Sequence, residues 1–452
     1  MFDNVKTHFY SLLLANNRIK YVSLLRNCEI RSGIRNDLLL KQYDITVWIT
    51  MLKELIIKDF FSFKGENHIP LNPGVNMLLG INGSGKTSFL NAIRLMYEGV
   101  CGAGFENLFQ LEWGGFNDVV NANGPDIPKT IELTYIFDEK ALKRAVAKSD
   151  FKFDVHYKII IRPLGATGYT IEEKLFTTDL RCNNGKFVYL DFRGGKGYLS
   201  VYHKEGVKTE NFRGMTSEQE LVLRQISDPR RYKPMHIIRT AVSEISLFET
   251  FDTRENSSLR KPAKSSSEMR LSSDGENLVS VLNNLNTDDS MAFNDIEEKL
   301  RIINPNFLKF NFKTFGSRLY MFLGERNMRN NIGIRFISDG TLRYILMMSI
   351  LMNPHTGKLI GMDEPEGRLH PDMINSLAEM LKSAATRSQV IVATHSPLLL
   401  NLFDIEDVLV FEKDQDNCSV VKQYYEEDFP EWEGEYLPGQ MWLHGVIGGK
   451  RW

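Results

Sequence analysis

The chain has 452 residues, of which 42% are hydrophobic and 25% are charged, and its formal net charge is −2. These values exclude a fibrous or intrinsically disordered chain, and the length predicts more than one lobe. No apolar run approaches the roughly 20 residues of a membrane span, and Arg18, Lys20 and Arg26 interrupt any signal-peptide core, so we expect a cytoplasmic protein with no membrane partner.

The charged residues are unevenly distributed. Residues 181–240 contain 12 Lys or Arg against 6 Asp or Glu, whereas residues 426–435 contain six acids and no base. Such a basic stretch is either a solvated face or a surface that holds the phosphates of DNA or RNA. The cysteines argue against a zinc site or a disulfide framework, because they lie far apart at positions 28, 101, 182 and 418.

The first 50 residues lack clear periodicity, whereas a strand pattern opens directly after Met51. Two interpretations stay open: Met51 is the true start, or residues 1–50 form a helical extension. Further on, a buried strand at 75–79 runs into a glycine-rich segment, and a helix follows at 86–97. Alternating apolar residues at 131–137 and 155–161 predict antiparallel strands and therefore a mixed sheet.

The glycine-rich segment at 80–87 matches the phosphate-binding pattern G-x-x-x-x-G-K-[ST] in full, between a strand and a helix. Its glycines let backbone N–H groups face phosphate oxygens, and the helix adds the positive end of its dipole. Lys86 is placed for the β and γ phosphates and Thr87 for Mg²⁺. We therefore predict ATP and Mg²⁺ as cofactors. The expected nucleotide contacts are Gly80, Asn82, Gly83, Ser84, Gly85, Lys86, Thr87 and Ser88.

The middle of the chain, residues 181–330, is predicted to be an inserted α+β lobe. Strands are expected at 187–190 and 198–202, and helices at 218–226 and 277–284. The segment 254–273 is rich in Ser, Arg and Lys, and we expect it to be an exposed loop.

Strands and helices alternate again toward the C-terminus. A helix is predicted at 341–352, a strand at 358–362, a helix after Pro371 and a strand at 389–393. This alternation predicts parallel pairing and an α/β fold, with sites at the C-terminal ends of the strands.

Polar residues follow both of these strands. Asp363 can hold Mg²⁺ through water, and Glu364 can accept a proton from the attacking water. His395 ends the second strand, where a lone histidine is commonly structural, but its position predicts a γ-phosphate contact. Ser338 and Gly340 precede a helix, as an N-cap or as an anion-binding helix end.

Taken in order, the segments 80–87, 338–341, 362–371 and 394–397 resemble the ABC-type ATPase heads of the RecF, SMC and OLD (overcoming lysogenization defect) group. The resemblance covers residues 51–452, and it is greatest to the prokaryotic AAA-type ATP-binding proteins encoded in phage-defence and toxin–antitoxin-like operons. It implies a P-loop NTPase fold in which ATP is sandwiched between two heads of a homodimer or higher homo-oligomer.

The resemblance also implies roles for individual residues. Lys86, Glu364 and His395 would be catalytic, with His395 as the switch histidine, and residues 367–370 would form the D-loop. Ser338 and Gly340 would belong to the signature motif, which contacts the γ-phosphate bound to the other subunit. That motif reads Ser-Asp-Gly-Thr here rather than Ser-Gly-Gly. Gln110 is the nearest candidate for the glutamine that completes the magnesium coordination in this group.

Five regions are expected along the chain. They are an N-terminal extension at 1–50, the P-loop half of the head at 51–180, the inserted lobe at 181–330, the second half of the head at 331–404, and a hairpin with a Gly/Trp tail at 405–452. Only 57 residues follow His395, too few for the TOPRIM nuclease domain of OLD proteins. Trp442 in the tail packs on its own core or docks on a partner.

Three functions are compatible with these features. The first is an ATP-driven sensor or regulator in anti-phage defence that acts with a separately encoded effector, such as a nuclease. The second is a DNA-repair or chromosome-maintenance ATPase that clamps DNA, although no sustained heptad run for a coiled-coil arm is present. The third, an ABC transporter ATPase, is disfavoured by the insertion and by the signature variant.

Overall fold

Three β-sheets organise the part of the chain that the computed structural model describes, which comprises residues 51–124, 127–145, 151–179, 185–203, 206–212, 217–226, 228–430 and 437–448. Both interpretations of residues 1–50 lie outside this part. The strands are β1 (Leu52–Phe60), β2 (Phe63–Pro70), β3 (Val75–Leu79), β4 (Ile131–Phe137), β5 (Val155–Leu164), β6 (Gly168–Thr178), β7 (Lys186–Arg193), β8 (Lys196–His203), β9 (Gly206–Asn211), β10 (Ile245–Phe248), β11 (Ala263–Lys264), β12 (Phe307–Phe315), β13 (Arg318–Glu325), β14 (Ile332–Gly333), β15 (Leu359–Asp363), β16 (Gln389–Thr394), β17 (Val408–Lys413) and β18 (Ser419–Gln423).

Helices cover the faces and edges of these sheets. They are α1 (Lys86–Val100), α2 (Phe116–Val119), α3 (Glu139–Ala145), α4 (Val222–Gln225), α5 (Lys233–Ser243), α6 (Leu278–Asp288), α7 (Ser290–Ile303), α8 (Asp339–Leu351), α9 (Asp372–Ala384), α10 (Pro397–Leu400) and α11 (Pro438–Leu443). A π-helical turn occupies Asn107–Glu112, and 3₁₀ turns occupy Ser258–Arg260, Ile334–Phe336, Ile405–Asp407 and Glu426–Asp428. Across the described ranges, none of the helices is long and apolar enough to cross a membrane.

The central sheet has the strand order β10-β15-β16-β3-β17-β18, and its neighbours pair in parallel except for β17 and β18. This confirms the predicted α/β class and the predicted C-terminal hairpin. Leu79 pairs with Thr394, and Asp363 pairs with Ala393. The ends of β3, β15 and β16 therefore meet at one edge of the sheet, where parallel sheets place their sites.

The side chains of the central strands alternate between two hydrophobic cores. Leu78 and Ile391 point into a core shared with α1 and the larger antiparallel sheet, whereas Met77 and Val392 point into a core shared with α8 and α9. Fixed on both faces, the central sheet is a rigid base for the loops at its edge.

An eight-stranded antiparallel sheet, β2-β1-β4-β5-β6-β7-β8-β9, packs beside the central sheet. Its β6 and β7 pair directly, so the strands expected at 187–190 and 198–202 continue the sheet that begins at β1. Further along, β10 joins the central sheet, and β11 to β14 form a third sheet. The strands of residues 181–330 are thus divided among three sheets instead of forming one lobe, because strand partners far apart in the chain are decided by burial.

Two local expectations need correction. Segment 254–273 is not simply an exposed loop: it contains a 3₁₀ turn and β11, and its Arg260 is 6% exposed. The helix expected at 218–226 is only the short α4, Val222–Gln225. Trp442 is buried with Met441 and Ile447 in the same core as α8 and α9, and its helix α11 contacts α10, which supports docking on its own core.

Candidate functional site

The P-loop follows β3 and leads into α1. Gly83 and Gly85 have φ angles of 77° and 111°, a backbone region that glycine adopts without strain. Gly80 is required for a different reason: a Cβ atom there would lie 2.4 Å from the carbonyl oxygen of Phe411 on β17. The loop thus obtains its curvature from two glycines and its close approach to the sheet from a third.

Serine side chains outside the motif form hydrogen bonds with residues of the P-loop and of the start of α1. The Ser419 hydroxyl, on β18, donates to the Ser84 carbonyl oxygen at 2.6 Å and lies 2.7 Å from the Ser62 hydroxyl. Ser62 in turn contacts Ser88 at 3.2 Å. Sequence reasoning missed both serines, because no local pattern marks them: Ser419 reaches a loop residue 335 positions away, and Ser62 acts through its contacts to Ser419 and Ser88.

Lys86 turns back over its own loop. Its ammonium donates to the carbonyl oxygens of Gly80 at 2.7 Å and Ile81 at 3.1 Å. Burial lowers the pKa of Lys86 to about 8, although the charges of Asp363 and Glu364 oppose the shift. The lysine therefore lies among hydrogen-bond acceptors, at the position where a phosphate chain would supply stronger ones.

Thr87 and Asp363 come together where α1 begins and β15 ends. The Thr87 hydroxyl lies 3.5 Å from a carboxylate oxygen of Asp363. Burial raises the pKa of Asp363, and the neighbouring Glu364 raises it further. A hydroxyl and one carboxylate, completed by phosphate oxygens and waters, form the hard oxygen donor set that Mg²⁺ prefers. Within the described residues, no group of three or more His, Cys, Asp or Glu side chains offers an all-protein metal site.

Glu364 lies directly beyond this pair in an unusual backbone conformation. Its φ angle is 48°, which a non-glycine residue adopts only where the surrounding structure holds it. Its amide donates to the Ala393 carbonyl oxygen at 2.9 Å, and its carboxylate lies 3.3 Å from Nε2 of His395. Burial, and then the charge of Lys86, lower the pKa of His395, which favours a neutral imidazole; with its proton on Nε2, this imidazole donates to the Glu364 carboxylate.

Glu366 is a partly buried carboxylate, with one oxygen fully buried, that sequence reasoning did not single out. One of its oxygens accepts hydrogen bonds from the Thr394 hydroxyl and, at 3.3 Å, from the His395 amide. Burial raises the pKa of Glu366. This side chain joins the loop after β15 to the end of β16 and so fixes His395 relative to Glu364.

The predicted signature segment forms the N-terminus of α8. The Ser338 hydroxyl accepts from the Thr341 amide at 3.2 Å and lies 2.8 Å from the Thr341 hydroxyl. The preceding loop is held by Arg260, whose guanidinium donates to the Ile337 carbonyl oxygen at 2.6 Å and to the Asp339 carboxylate. The aspartate that distinguishes this segment from Ser-Gly-Gly is therefore bound by an arginine of the same chain.

Two sequence families match the chain. One, described as "AAA domain", matches residues 54–304, which is more than half of the 452 residues. The chain belongs to this AAA-domain family. A second, described as "AAA domain, putative AbiEii toxin, Type IV TA system", matches residues 216–401 of the AAA-domain protein. A search of curated proteins found no match to the sequence of this chain.

Solved structures with a similar fold include two Smc heads. One is the Smc head bound to the C-terminal winged-helix domain of ScpA, with 16% identity and a TM-score of 0.54 over 84% of this chain and 99% of that chain. The other, derived from Pyrococcus furiosus, is an Smc head with an extended coiled coil bound to the C-terminal domain of ScpA. It has 14% identity and a TM-score of 0.51 over 84% of this chain and 98% of that chain. At this identity the likeness concerns the fold, which is that of an SMC-like P-loop ATPase head.

The structure brings most of the predicted site residues of the AAA-domain protein together. Lys86, Thr87, Asp363, Glu364 and His395 share one edge of the central sheet. By contrast, no hydrogen bond or ion pair joins Ser338 or Gly340 to the P-loop within the described ranges of the chain.

Gln110 stays a prediction. Its side-chain oxygen is buried in the π-helical turn and finds no hydrogen-bond partner among the described residues. The same turn carries Glu112, which pairs at 2.8 Å with Arg94, and Arg94 also pairs at 3.1 Å with Glu249. Glu249 is close enough to Asp363 to raise its pKa, so the turn approaches the Asp363 side of the site.

Proposed function

We propose that the protein binds ATP with Mg²⁺ at the P-loop and hydrolyses it to ADP and phosphate. The observation that supports this most is the 3.3 Å contact between Glu364 and His395, beside Lys86 and the Thr87–Asp363 pair. This arrangement combines a phosphate-binding lysine, oxygen donors for a metal and an exposed carboxylate that reaches the attacking water.

In this mechanism the chain supplies positioning and charge. Lys86 would exchange its backbone acceptors for phosphate oxygens. Thr87 and Asp363 would hold the magnesium, whose chemistry is to supply positive charge to the phosphates. Glu364, fixed by its strained backbone and by His395, orients the water and accepts its proton. Asp363 and Glu364 thus have separate roles although they are adjacent.

We further propose that two copies close on the nucleotide, with Ser338 and Gly340 of one copy opposite the P-loop of the other. Ser338 is exposed at the N-terminus of a 13-residue helix, an end suited to phosphate oxygens. Arg343 of that helix donates to the Gly367 carbonyl oxygen at 3.3 Å, so the signature segment lies beside the loop that follows β15 and Glu364. The signature segment is thus attached to the loop that follows Glu364, which supports a site shared between two copies.

Replacing Glu364 tests this function. Glu364→Gln removes the proton acceptor but leaves the P-loop intact, so we expect ATP binding near wild type, loss of turnover and accumulation of an ATP-bound dimer, measured by calorimetry, phosphate release and sedimentation. Lys86→Ala should lose ATP binding. Turnover near wild type in Glu364→Gln would remove Glu364 from this role, and unchanged ATP affinity in Lys86→Ala would contradict the P-loop assignment.

For the biological role we propose an ATP-driven sensor or regulator in anti-phage defence that acts with a separate effector. The match of residues 216–401 to the AbiEii-type description supports it. The second candidate, a chromosome-maintenance ATPase that clamps DNA, is supported by the Smc-head fold. Isolation of the tagged protein from its host distinguishes them: a co-purifying effector protein supports the first and co-purifying DNA the second.

The basic region at 181–240 is the place where nucleic acid would bind. Several of its arginines already have partners in the chain: Arg231 pairs with Glu210 at 2.8 Å, and Arg193 pairs with Glu172 at 3.1 Å. Binding through phosphates would weaken steeply with salt, so affinity for DNA or RNA that is independent of salt would count against this surface.

A further inference from the structure

Arg368 lies in the turn that follows Glu364, within the predicted D-loop. Its φ angle is 62°, and the turn is closed by hydrogen bonds of 3.0 Å from the Gly367 amide to the Glu364 carbonyl oxygen and from the Leu369 amide to the Glu366 carbonyl oxygen. The Arg368 side chain is 61% exposed. The hydrogen-bonded turn thus holds the backbone of Arg368 in place, and its guanidinium group extends into solvent.

This turn is attached to the signature segment. A Cβ atom on Gly340 would lie 3.4 Å from the Arg368 carbonyl oxygen, so the turn and the start of α8 lie close together. Arg343 donates to the carbonyl oxygens of Gly367 at 3.3 Å and Phe251 at 2.9 Å. Arg368 and Ser338 therefore belong to one surface and would reach a facing molecule together.

Among the residues that the structure describes, the guanidinium of Arg368 has one ion-pair partner, and that pair is long. Its Nη1 lies 3.9 Å from the Asp339 carboxylate, whose other oxygen is bound by Arg260, a side chain only 5% exposed. The neighbouring Asp252 is already bound by Arg254 through contacts of 2.8 and 2.9 Å. Such an exposed, long ion pair stabilises the fold little, so the guanidinium can exchange Asp339 for a stronger anion.

The surrounding charges favour a phosphate over another carboxylate. Among the described residues that act on this turn, the exposed Arg254 and Arg368 and the buried Arg260 and Arg343 accompany two aspartates, at 252 and 339, so positive charge is in excess around it. The edge that carries Lys86 has the opposite balance, with Asp363, Glu364 and Glu366. An arginine fork matches phosphate oxygens in bidentate geometry better than a lysine does.

We propose that Arg368 binds the γ-phosphate of ATP held in the P-loop of a second copy, next to Ser338 of its own subunit. The proposal rests on the two-copy site described above and adds a catalytic arginine to it. Its charge would act on the transferred phosphoryl group, where negative charge must be stabilised during attack by water.

The test mixes two inactive variants. Arg368→Ala keeps its own P-loop and Glu364, whereas Glu364→Gln keeps its signature segment and Arg368. In a mixed dimer one of the two sites then contains every wild-type group. We expect each variant alone to lose at least about tenfold in turnover, and an equal mixture to regain about a quarter of wild-type activity, since random pairing makes half of the dimers mixed. Arg368→Lys should retain part of the activity, because it keeps the charge but not the fork.

Ser338→Ala mixed with Glu364→Gln is the matched control, because it tests the shared site without Arg368. If that mixture recovers activity and the Arg368→Ala mixture does not, the arginine acts within its own subunit and the proposal is wrong while the shared site stands. If neither mixture recovers, the two-copy site itself is wrong and the proposal falls with it. Full activity of Arg368→Ala alone also overturns the proposal. A melting temperature near wild type, expected for so weak an ion pair, excludes misfolding as the cause of any loss.

Discussion

Lys86 shows how the fold prepares one residue for its ligand. Its side chain is buried, and its ammonium is satisfied by two carbonyl oxygens of its own loop. Burial disfavours the charged form, so the pKa falls from the ordinary value near 10.5 to about 8. A triphosphate in the loop would favour the charged form again. The protonation of this lysine is therefore linked to nucleotide binding.

We predict that ATP binding takes up protons near pH 8. With a pKa of about 8, roughly half of the Lys86 side chains are neutral at that pH and become charged when phosphate arrives, which corresponds to up to about half a proton per site. At pH 6.5 the lysine is charged before and after binding, so its uptake should be close to zero. Calorimetry in two buffers with different ionisation enthalpies measures the difference.

Lys86→Arg is the control for this measurement, since arginine stays charged at both pH values. Uptake at pH 8 that persists in this variant would assign the proton to another group. His395 is a poor candidate, because its pKa is lowered from 6.5 and it is neutral at pH 8 with or without a small shift.

At the scale of elements, the sequence predicted what local periodicity and short motifs can encode. The strand-to-helix setting of the P-loop, β15 with its two acids, β16 with His395 and the C-terminal hairpin all follow from patterns within about ten residues. The order of the strands does not follow from such patterns. In the central sheet β3 lies between β16 and β17, although both of these strands come more than 300 residues after β3 in the chain. Strand partners depend on which faces bury together, and that is not a local property.

Buried polar residues were missed for the same reason. Arg260 belongs to a segment whose composition predicted a solvated loop, yet it binds the carbonyl oxygens of Thr253 and Ile337, the latter 77 residues away. Glu173 was likewise not singled out, although it accepts from the Tyr157 hydroxyl and from the amides of Val222 and Leu223 at the start of α4. The composition of a segment predicts its average exposure. It does not predict which residue is buried and forms hydrogen bonds with backbone groups far away in the sequence.

We predict that Arg260→Met disorders the signature segment. Removal of the guanidinium leaves the buried carbonyl oxygens of Thr253 and Ile337 without this donor, which should lower the stability by on the order of 2–4 kcal/mol. The half-exposed Asp339 carboxylate keeps its long contact to Arg368 and its exposure to water. Hydrogen exchange at residues 334–341 should accelerate, while the P-loop keeps its protection. Arg254→Met is the matched control: its exposed guanidinium pairs with Asp252, and its loss should leave melting and exchange near wild type. Equal effects of the two substitutions would show that Arg260 has no special role.

At the scale of the whole molecule, the two halves of the proposed site carry opposite charge. Acidic groups surround Lys86 at the edge of the central sheet, and arginines outnumber aspartates around the signature segment. Bound ATP would make the first surface more negative. Two copies related by a two-fold axis would place each acidic edge opposite an arginine-rich surface. This arrangement is favoured over arrangements of two copies that bring surfaces of like charge together.

This complementarity predicts that the ATP-bound dimer of Glu364→Gln weakens with salt. Charges at a forming interface are screened within about 10 Å at 0.1 M salt and about 3 Å at 1 M, so the dissociation constant measured by sedimentation should rise about tenfold or more across that range. Adding Arg368→Ala should weaken the dimer at low salt and flatten the dependence, because one cation per interface half is gone. Adding Lys143→Ala, which removes an exposed cation paired with Glu139 on α3, should change neither. A dimer whose affinity ignores salt would indicate that apolar contacts, rather than these charged surfaces, join the two copies.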